Sequence, residues 1–236
     1  MKKNQILLEK NLHISSSLAE ILTRKNLDEN SAKLFLNPTK IPYHDPFLLK
    51  DMEKACQRLL LALKNKEKIC IYGDYDVDGV SSTALLMTVF TKLGFNIDYY
   101  LPDRHSEGYG LHIESLQKLI PKYDLLITVD CGITALDEVD YAKDKIDMII
   151  TDHHLPREIL PDAFAIINPT QTQCIYPNKN LCGVGVAFKL CQGLYQSLNK
   201  DIHELENYLD IVALGTIADI VPLVDEKSSH CQKRIS

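Results

Sequence analysis

The stretch MIITDHH, residues 148–154, is an apolar run that ends abruptly in one carboxylate and two imidazoles. The same design occurs twice earlier. ICIYGDYDVDG, 69–79, passes from apolar residues into three aspartates, and LLITVDCG, 125–132, passes into one. Short continuous apolar runs bounded by turn residues read as strands buried on both faces, the kind a parallel sheet contains. Between them lie segments with helical spacing. The pattern predicts strands over 68–72, 96–101, 124–129, 147–151 and 163–167. Helices are predicted over 80–93, 111–120 and 134–143. This alternation defines an α/β fold, a mostly parallel sheet flanked by helices.

In such a sheet, ligands gather in the crevice beyond the carboxyl ends of the strands. Asp74, Asp76 and Asp78 follow the first strand, Asp130 follows the third, and Asp152, His153 and His154 follow the fourth. Carboxylates crowded into one crevice repel one another unless cations hold them. Oxygen ligands mixed with imidazole suit Mn²⁺ or Mg²⁺. The three clusters together point to a metal-dependent active site.

Each cluster also has a plainer reading. In an extended chain the three aspartates of the first share one face, as metal ligation wants, but the segment could also be a solvated loop with an Asx turn and a helix cap. It imitates a calcium loop, but Leu85 stands where the twelfth-position Glu is required. Asp130 alone reads as a helix cap, and paired histidines occur without function. Asp219, inside the apolar stretch ALGTIADIVPL (213–223), could simply face solvent or cap a neighbour, but a carboxylate rarely goes unpaired when buried, and a further metal ligand is its better reading. PDRHSEGYG (102–110) offers Arg104, His105 and Ser106 to a phosphate, and could equally be an ordinary turn. LCGVGVAFKL (181–190) puts Gly183 and Gly185 at a helix start, where free N–H groups favour an anion, though it could be no more than a close-packed helix entry.

The rest of the chain sets bounds. With 236 residues and 45% hydrophobic content, one large core or two modest ones can be buried. No run reaches the ~18–20 apolar residues of a membrane helix, and the N-terminus carries no secretory signal pattern. Seven cysteines without a CxxC pair read as reduced core residues of a cytoplasmic protein. The net charge of −6 argues against binding nucleic acid over the whole surface, and leaves a local groove open. Short helices are expected over 18–22 and 31–36, a longer one over 51–64, and two more over 184–198 and 202–219. The organisation read from this is a helical lead-in at 1–65 followed by the α/β region.

GDYDVDG, PDRHSEGYGL, VDCG, TDHH, LCGVGVAFKL and ALGTIADIVPL, in this order, resemble the DHH phosphoesterase superfamily, as does HDPFLLKDMEKA at 44–55. Within it the wording is nearest to the bacterial exonucleases specific for single-stranded DNA. The resemblance implies 5′-to-3′ removal of nucleotides in recombination and repair, with two Mn²⁺ or Mg²⁺ ions that activate water and stabilise the attacking and leaving oxygens. It implies Asp76, Asp78, Asp130, His153 and Asp219 as metal ligands, and Asp74 as a ligand or orienter. Asp152 would orient the histidines, His154 would touch the scissile phosphate, and Arg104, Ser106, Gly183 and Gly185 would hold it. Single-stranded DNA, a single-strand-binding protein and a repair helicase are the implied partners, with no membrane. Family members continue into a second domain and often an OB-fold, neither present in these residues. The resemblance therefore implies a catalytic domain at 66–226 and an atypical tail at 227–236, a truncated catalytic part with its chemistry better kept than its grip on DNA. The alternatives are a phosphodiesterase of short oligonucleotides or cyclic dinucleotides, a pyrophosphatase, or an inactive fragment.

Overall fold

The computed structural model describes residues 2–37, 42–104, 106–223 and 225–226. They divide into two compact units, with the larger spanning His44–Pro222. The tail expected at 227–236, and His105, lie outside the described residues.

The smaller unit contains α1 (Lys2–Leu12), α2 (Ser16–Arg24) and α3 (Glu29–Leu36). The Ser15 and Asp28 side chains cap α2 and α3 by accepting from Leu18 N and Ser31 N. The three helices close over Leu8, Ala19, Leu22 and Ala32. The first helix was not read from the sequence, because its outward residues include Ile6 and Leu7 and blur the apolar stripe.

In the larger unit, α4 (Met52–Asn65) leads to β1 (Lys68–Tyr72), α5 (Val77–Leu93) and β2 (Asn96–Tyr100). Next come α6 (Ile113–Leu119), β3 (Leu125–Val129), α7 (Leu136–Ala142), β4 (Asp147–Thr151) and β5 (Ala165–Ile167). The chain ends the unit with α8 (Gly183–Ser197), a 3₁₀ segment at Ile202–Tyr208 and α9 (Leu209–Ala218). The helix expected over 202–219 is thus two pieces. The helix α4, expected in the lead-in, packs on β5 and α8 instead. Its N-cap residue Asp51 also accepts from Ile166 N on β5 at 3.0 Å.

All strand pairs are parallel, in the order β2-β1-β3-β4-β5. The fold is α/β, as the alternation predicts. Side chains alternate across the sheet. Cys70, Tyr72, Leu126, Met148, Ile150 and Ile166 meet α6 and α7 on one face. Ile69, Ile71, Leu125, Ile127 and Ile149 point the other way, where α5 and α8 pack. The order reverses between β1 and β3, since β1 continues to its neighbour on one side and β3 on the other. Loops leaving a sheet at such a switch point diverge and open a crevice. The crevice lies between Gly73 and Asp130.

Candidate metal centre

The loop after β1 is shorter than an extended DxDxD run. Asp76 caps α5, its Oδ1 accepting from Gly79 N at 2.9 Å, and Asp78 already sits in the first helical turn. The three aspartates are therefore not displayed on one face of an extended chain. Asp74 is turned inward and buried, Asp76 is exposed at the rim, and Asp78 is buried beneath. Asp78 meets the start of α8: Oδ2 accepts from Gly183 N at 2.6 Å and Oδ1 from Val184 N at 2.8 Å. A helix N-terminus is the place where a carboxylate is electrostatically favoured. The Gly183 N–H, expected to serve a phosphate, serves this carboxylate instead. Gly185 packs against Leu181 and Cys182 within the helix entry.

Asp130 follows β3 in the left-handed region, φ 60°, and is 2% exposed. Its Oδ1 lies 3.1 Å from His153 Nε2, and neither atom has a hydrogen-bond partner among the described residues although both are buried. The same His153 nitrogen lies 3.8 Å from Asp219 Oδ2 and 3.9 Å from Asp78 Oδ2. Asp219 reaches this point from the C-terminal end of α9. Two groups of ligand atoms result, Asp78 with His153 and Asp219, and Asp74 with Asp76 and Asp130, each within 4.8 Å. His154 can join Asp130 and His153 in a third. Buried carboxylate and imidazole atoms facing one another without a proton between them in hydrogen-bond geometry are what a cation would bridge. The hard oxygen donors with one or two imidazole nitrogens fit Mn²⁺ or Mg²⁺.

The electrostatics agree with a site built for positive charge. Burial, then the neighbouring Asp78 and Asp76, pushes Asp130 up to about 10. Burial likewise raises Asp78 to about 6, and raises Asp74. Divalent cations would reverse this by stabilising the carboxylates.

Asp152 has a different task. It is 1% exposed, and its Oδ1 accepts from His153 N at 2.7 Å and His154 N at 3.0 Å, and lies 2.7 Å from His154 Nδ1. Its Oδ2 accepts from Ile133 N at 2.9 Å. Burial works against its charge, but the His154 ring and these N–H groups outweigh it and hold the carboxyl below its usual range. The hydrogen bond that His154 Nδ1 donates to Asp152 in turn raises His154 to about 9.

The remaining expectations divide. Arg104 stands over the ring of Tyr75, the residue between Asp74 and Asp76 in the sequence, with its Cζ 5.5 Å from the centroid. Ser106 turns back on Asp103, its N–H and hydroxyl both donating to Oδ1 at 3.0 Å, so its donors are engaged within the loop. One residue passed over in the sequence joins the site. Tyr109, in the same loop, puts its hydroxyl 3.3 Å from His154 Nε2 and 3.4 Å from the Asp130 carbonyl. An aromatic residue between two glycines was the available signal.

The fold and cleft define an α/β protein with a cluster of carboxylates and imidazoles that could hold cations at the switch point of a parallel sheet. The chain belongs to the DHH family: the model of its N-terminal domain matches residues 68–216. The single-stranded-DNA-specific exonuclease RecJ of Bacillus subtilis is 45% identical over 222 residues, 93% of this chain and 28% of that protein. RecJ of Haemophilus influenzae is 43% identical over 213 residues, 86% of this chain and 36% of that one. The chain thus spans roughly a third of the curated relatives it matches. Among solved structures, exonuclease RecJ bound to manganese superposes with a TM-score of 0.72 at 33% identity, over 78% of this chain and 47% of that one. RecJ from Thermus thermophilus in complex with Mn²⁺ gives 0.81 at 27% identity, over 100% of this chain and 34% of that one.

Proposed function

We propose that this chain is the metal-binding catalytic part of a single-strand-specific DNA exonuclease that hydrolyses phosphodiester bonds from the 5′ end, in recombination and repair. The observation that carries the reading is the 3.1 Å approach of Asp130 Oδ1 and His153 Nε2, ringed by Asp74, Asp76, Asp78 and Asp219. The similarity to RecJ exonucleases supports the choice of substrate.

Asp76, Asp78, Asp130, His153 and Asp219, with Asp74 beside them, would hold two Mn²⁺ or Mg²⁺ ions. Ions held there would supply an activated water and neutralise charge on the phosphate oxygens. The chain's own groups do the rest. The backbone N–H groups of Gly183 and Val184 orient Asp78. Asp152 holds the His154 ring through Nδ1, leaving Nε2 and the Tyr109 hydroxyl at the cleft surface, where they can donate to a phosphate oxygen. Asp152 favours the imidazolium form of His154, while bound cations would weaken it. Arg104, raised over Tyr75, adds a second positive group at the rim.

Single-stranded DNA is the substrate of this reading. A single-strand-binding protein and a repair helicase are its protein partners, and the cytoplasm is its setting. No helix among the described residues is long and apolar enough to cross a membrane. The test is Mn²⁺-dependent degradation of 5′-labelled single-stranded DNA, run beside duplex DNA, cyclic di-AMP and pyrophosphate. Release of mononucleotides from the single strand alone is expected. Turnover confined to cyclic di-AMP or pyrophosphate would move the chain to another DHH activity.

A further inference from the structure

The sheet ladder stops just before the two histidines. Asp152 N donates to Ile167 O at 3.1 Å, and past this bond no strand partner among the described residues holds residues 153 and 154. Two imidazoles that must meet cations and phosphate to within a fraction of an ångström therefore sit on a short turn outside the sheet. Side chains hold that turn from both sides. Asp152 takes its two N–H groups, as described. The His154 carbonyl accepts from Asn168 Nδ2 at 2.9 Å and lies 3.1 Å from Thr170 Oγ1.

Asn168 follows β5 directly and is fully buried. Its Oδ1 accepts from Thr170 N at 2.7 Å, and that bond fixes which end of the amide points at His154, because only an oxygen can accept there. The Thr170 hydroxyl lies 2.7 Å from the same Oδ1, so its single proton is shared between Asn168 and the His154 carbonyl. Behind them, Gln171 Nε2 donates to Ile166 O at 2.7 Å and Lys179 Nζ donates to Pro169 O at 2.9 Å. The polar segment after β5 is thus anchored to the sheet at one end and to the histidine turn at the other.

We propose that Asn168 and Thr170 are positioning residues for the imidazole pair: they lock the His154 carbonyl, and through it the directions of both rings. The proposal rests on the reading of His153 and His154 as site residues. A buried, hydrogen-bonded amide can equally serve stability alone, and the two roles separate experimentally. Partners that orient metal-site histidines change metal affinity or activity, whereas a purely structural contact changes only the melting temperature.

Asn168→Ala, Thr170→Val and Thr170→Ser are compared with the parent chain by imidazole ¹H–¹⁵N spectra of the metal-free protein and by calorimetric titration with Mn²⁺. In Asn168→Ala and Thr170→Val the His153 and His154 ring signals should shift and broaden, and the Mn²⁺ dissociation constant should rise, by roughly tenfold or more for Asn168→Ala. Thr170→Ser keeps the hydroxyl and should match the parent. Variants that melt earlier but retain the parent's ring signals and Mn²⁺ affinity would overturn the proposal. Should Asn168→Ala fail to fold, Thr170→Val, altered at a partly exposed position, decides the matter. If the parent itself takes up no Mn²⁺, the proposed function falls, while the ring spectra still decide the role of Asn168 and Thr170.

Discussion

Gly183 stands against Asp130 so closely that a Cβ on it would lie 2.5 Å from Asp130 Oδ1. The same glycine donates its N–H to Asp78 Oδ2. One residue at the start of α8 thereby sets two carboxylates, one from the first turn of α5 and one from the end of β3. Gly215 does a similar service from α9, where a Cβ would meet Asp78 Oδ1 at 2.8 Å. The centre is assembled where two helices come near enough to touch the acids, and only glycine permits the approach.

Gly183→Ala should therefore weaken Mn²⁺ binding by roughly tenfold or more, the scale on which neighbours of metal ligands act. Asp130 is buried and has little room to retreat, so the added methyl must displace either it or the end of α8. Isothermal titration with Mn²⁺ checks this. Parent-like affinity would show that α8 can withdraw without disturbing the acids.

Asp130→Asn should stabilise the metal-free chain at neutral pH. In the folded protein Asp130 titrates at about 10, against an ordinary 3.8, so the folded state keeps a proton that the unfolded chain gives up. Its contribution is complete below the ordinary value and is lost as pH rises through that interval. Melting curves of the parent, taken without metal, should fall between pH 6 and 9. Those of Asp130→Asn should lie higher and fall less steeply, while Mn²⁺ should raise the parent's melting temperature far more than the variant's. Parallel curves would mean that Asp130 is charged in the metal-free fold.

Mn²⁺ binding at pH 7 should release about one proton, because a ligand must be deprotonated to coordinate. Asp130 is the main source, with Asp78, at about 6, giving up its smaller share as pH falls toward that value. Binding enthalpies in buffers of different ionisation heat measure the release directly. A value near zero would show that the carboxylates are already ionised, and that burial is offset by groups other than the metal.

Asp152→Asn should lower His154 from about 9 toward its ordinary 6.5, since the Asp152 hydrogen bond is the chief cause of the shift. The stability that the imidazolium–Asp152 pair contributes is full below the ordinary histidine value and is lost as pH rises through the folded one. In the variant that loss should move to lower pH. Ring titration by NMR, in the metal-free chain, gives the midpoint. An unmoved midpoint would assign the shift to the surrounding carboxylates. Turnover, where present, should drop by roughly 10–100-fold as the ring loses its orientation.

Local sequence determined the strands and what terminates them. β1 and β4 run over the residues their apolar patterns mark, and β3 differs by one, because a strand buried on both faces must be apolar throughout. From that alone, Asp74, Asp130 and Asp152 had to follow strand ends, and a crevice at the carboxyl edge had to collect them. Local sequence was silent on contacts between segments far apart in the chain. Asp78 reads as one more aspartate of an extended loop until the α8 N-terminus, 105 positions away, takes its carboxylate. Gly183 reads as a phosphate loop until its missing side chain proves to make room for Asp130. Tyr109 and Asn168 leave no periodic trace, since each acts through one hydroxyl or one amide on a turn that another strand brings near. Periodicity reports which face of an element is buried. Which side chains then meet depends on strand order and helix packing, and these are settled only when the whole chain has folded.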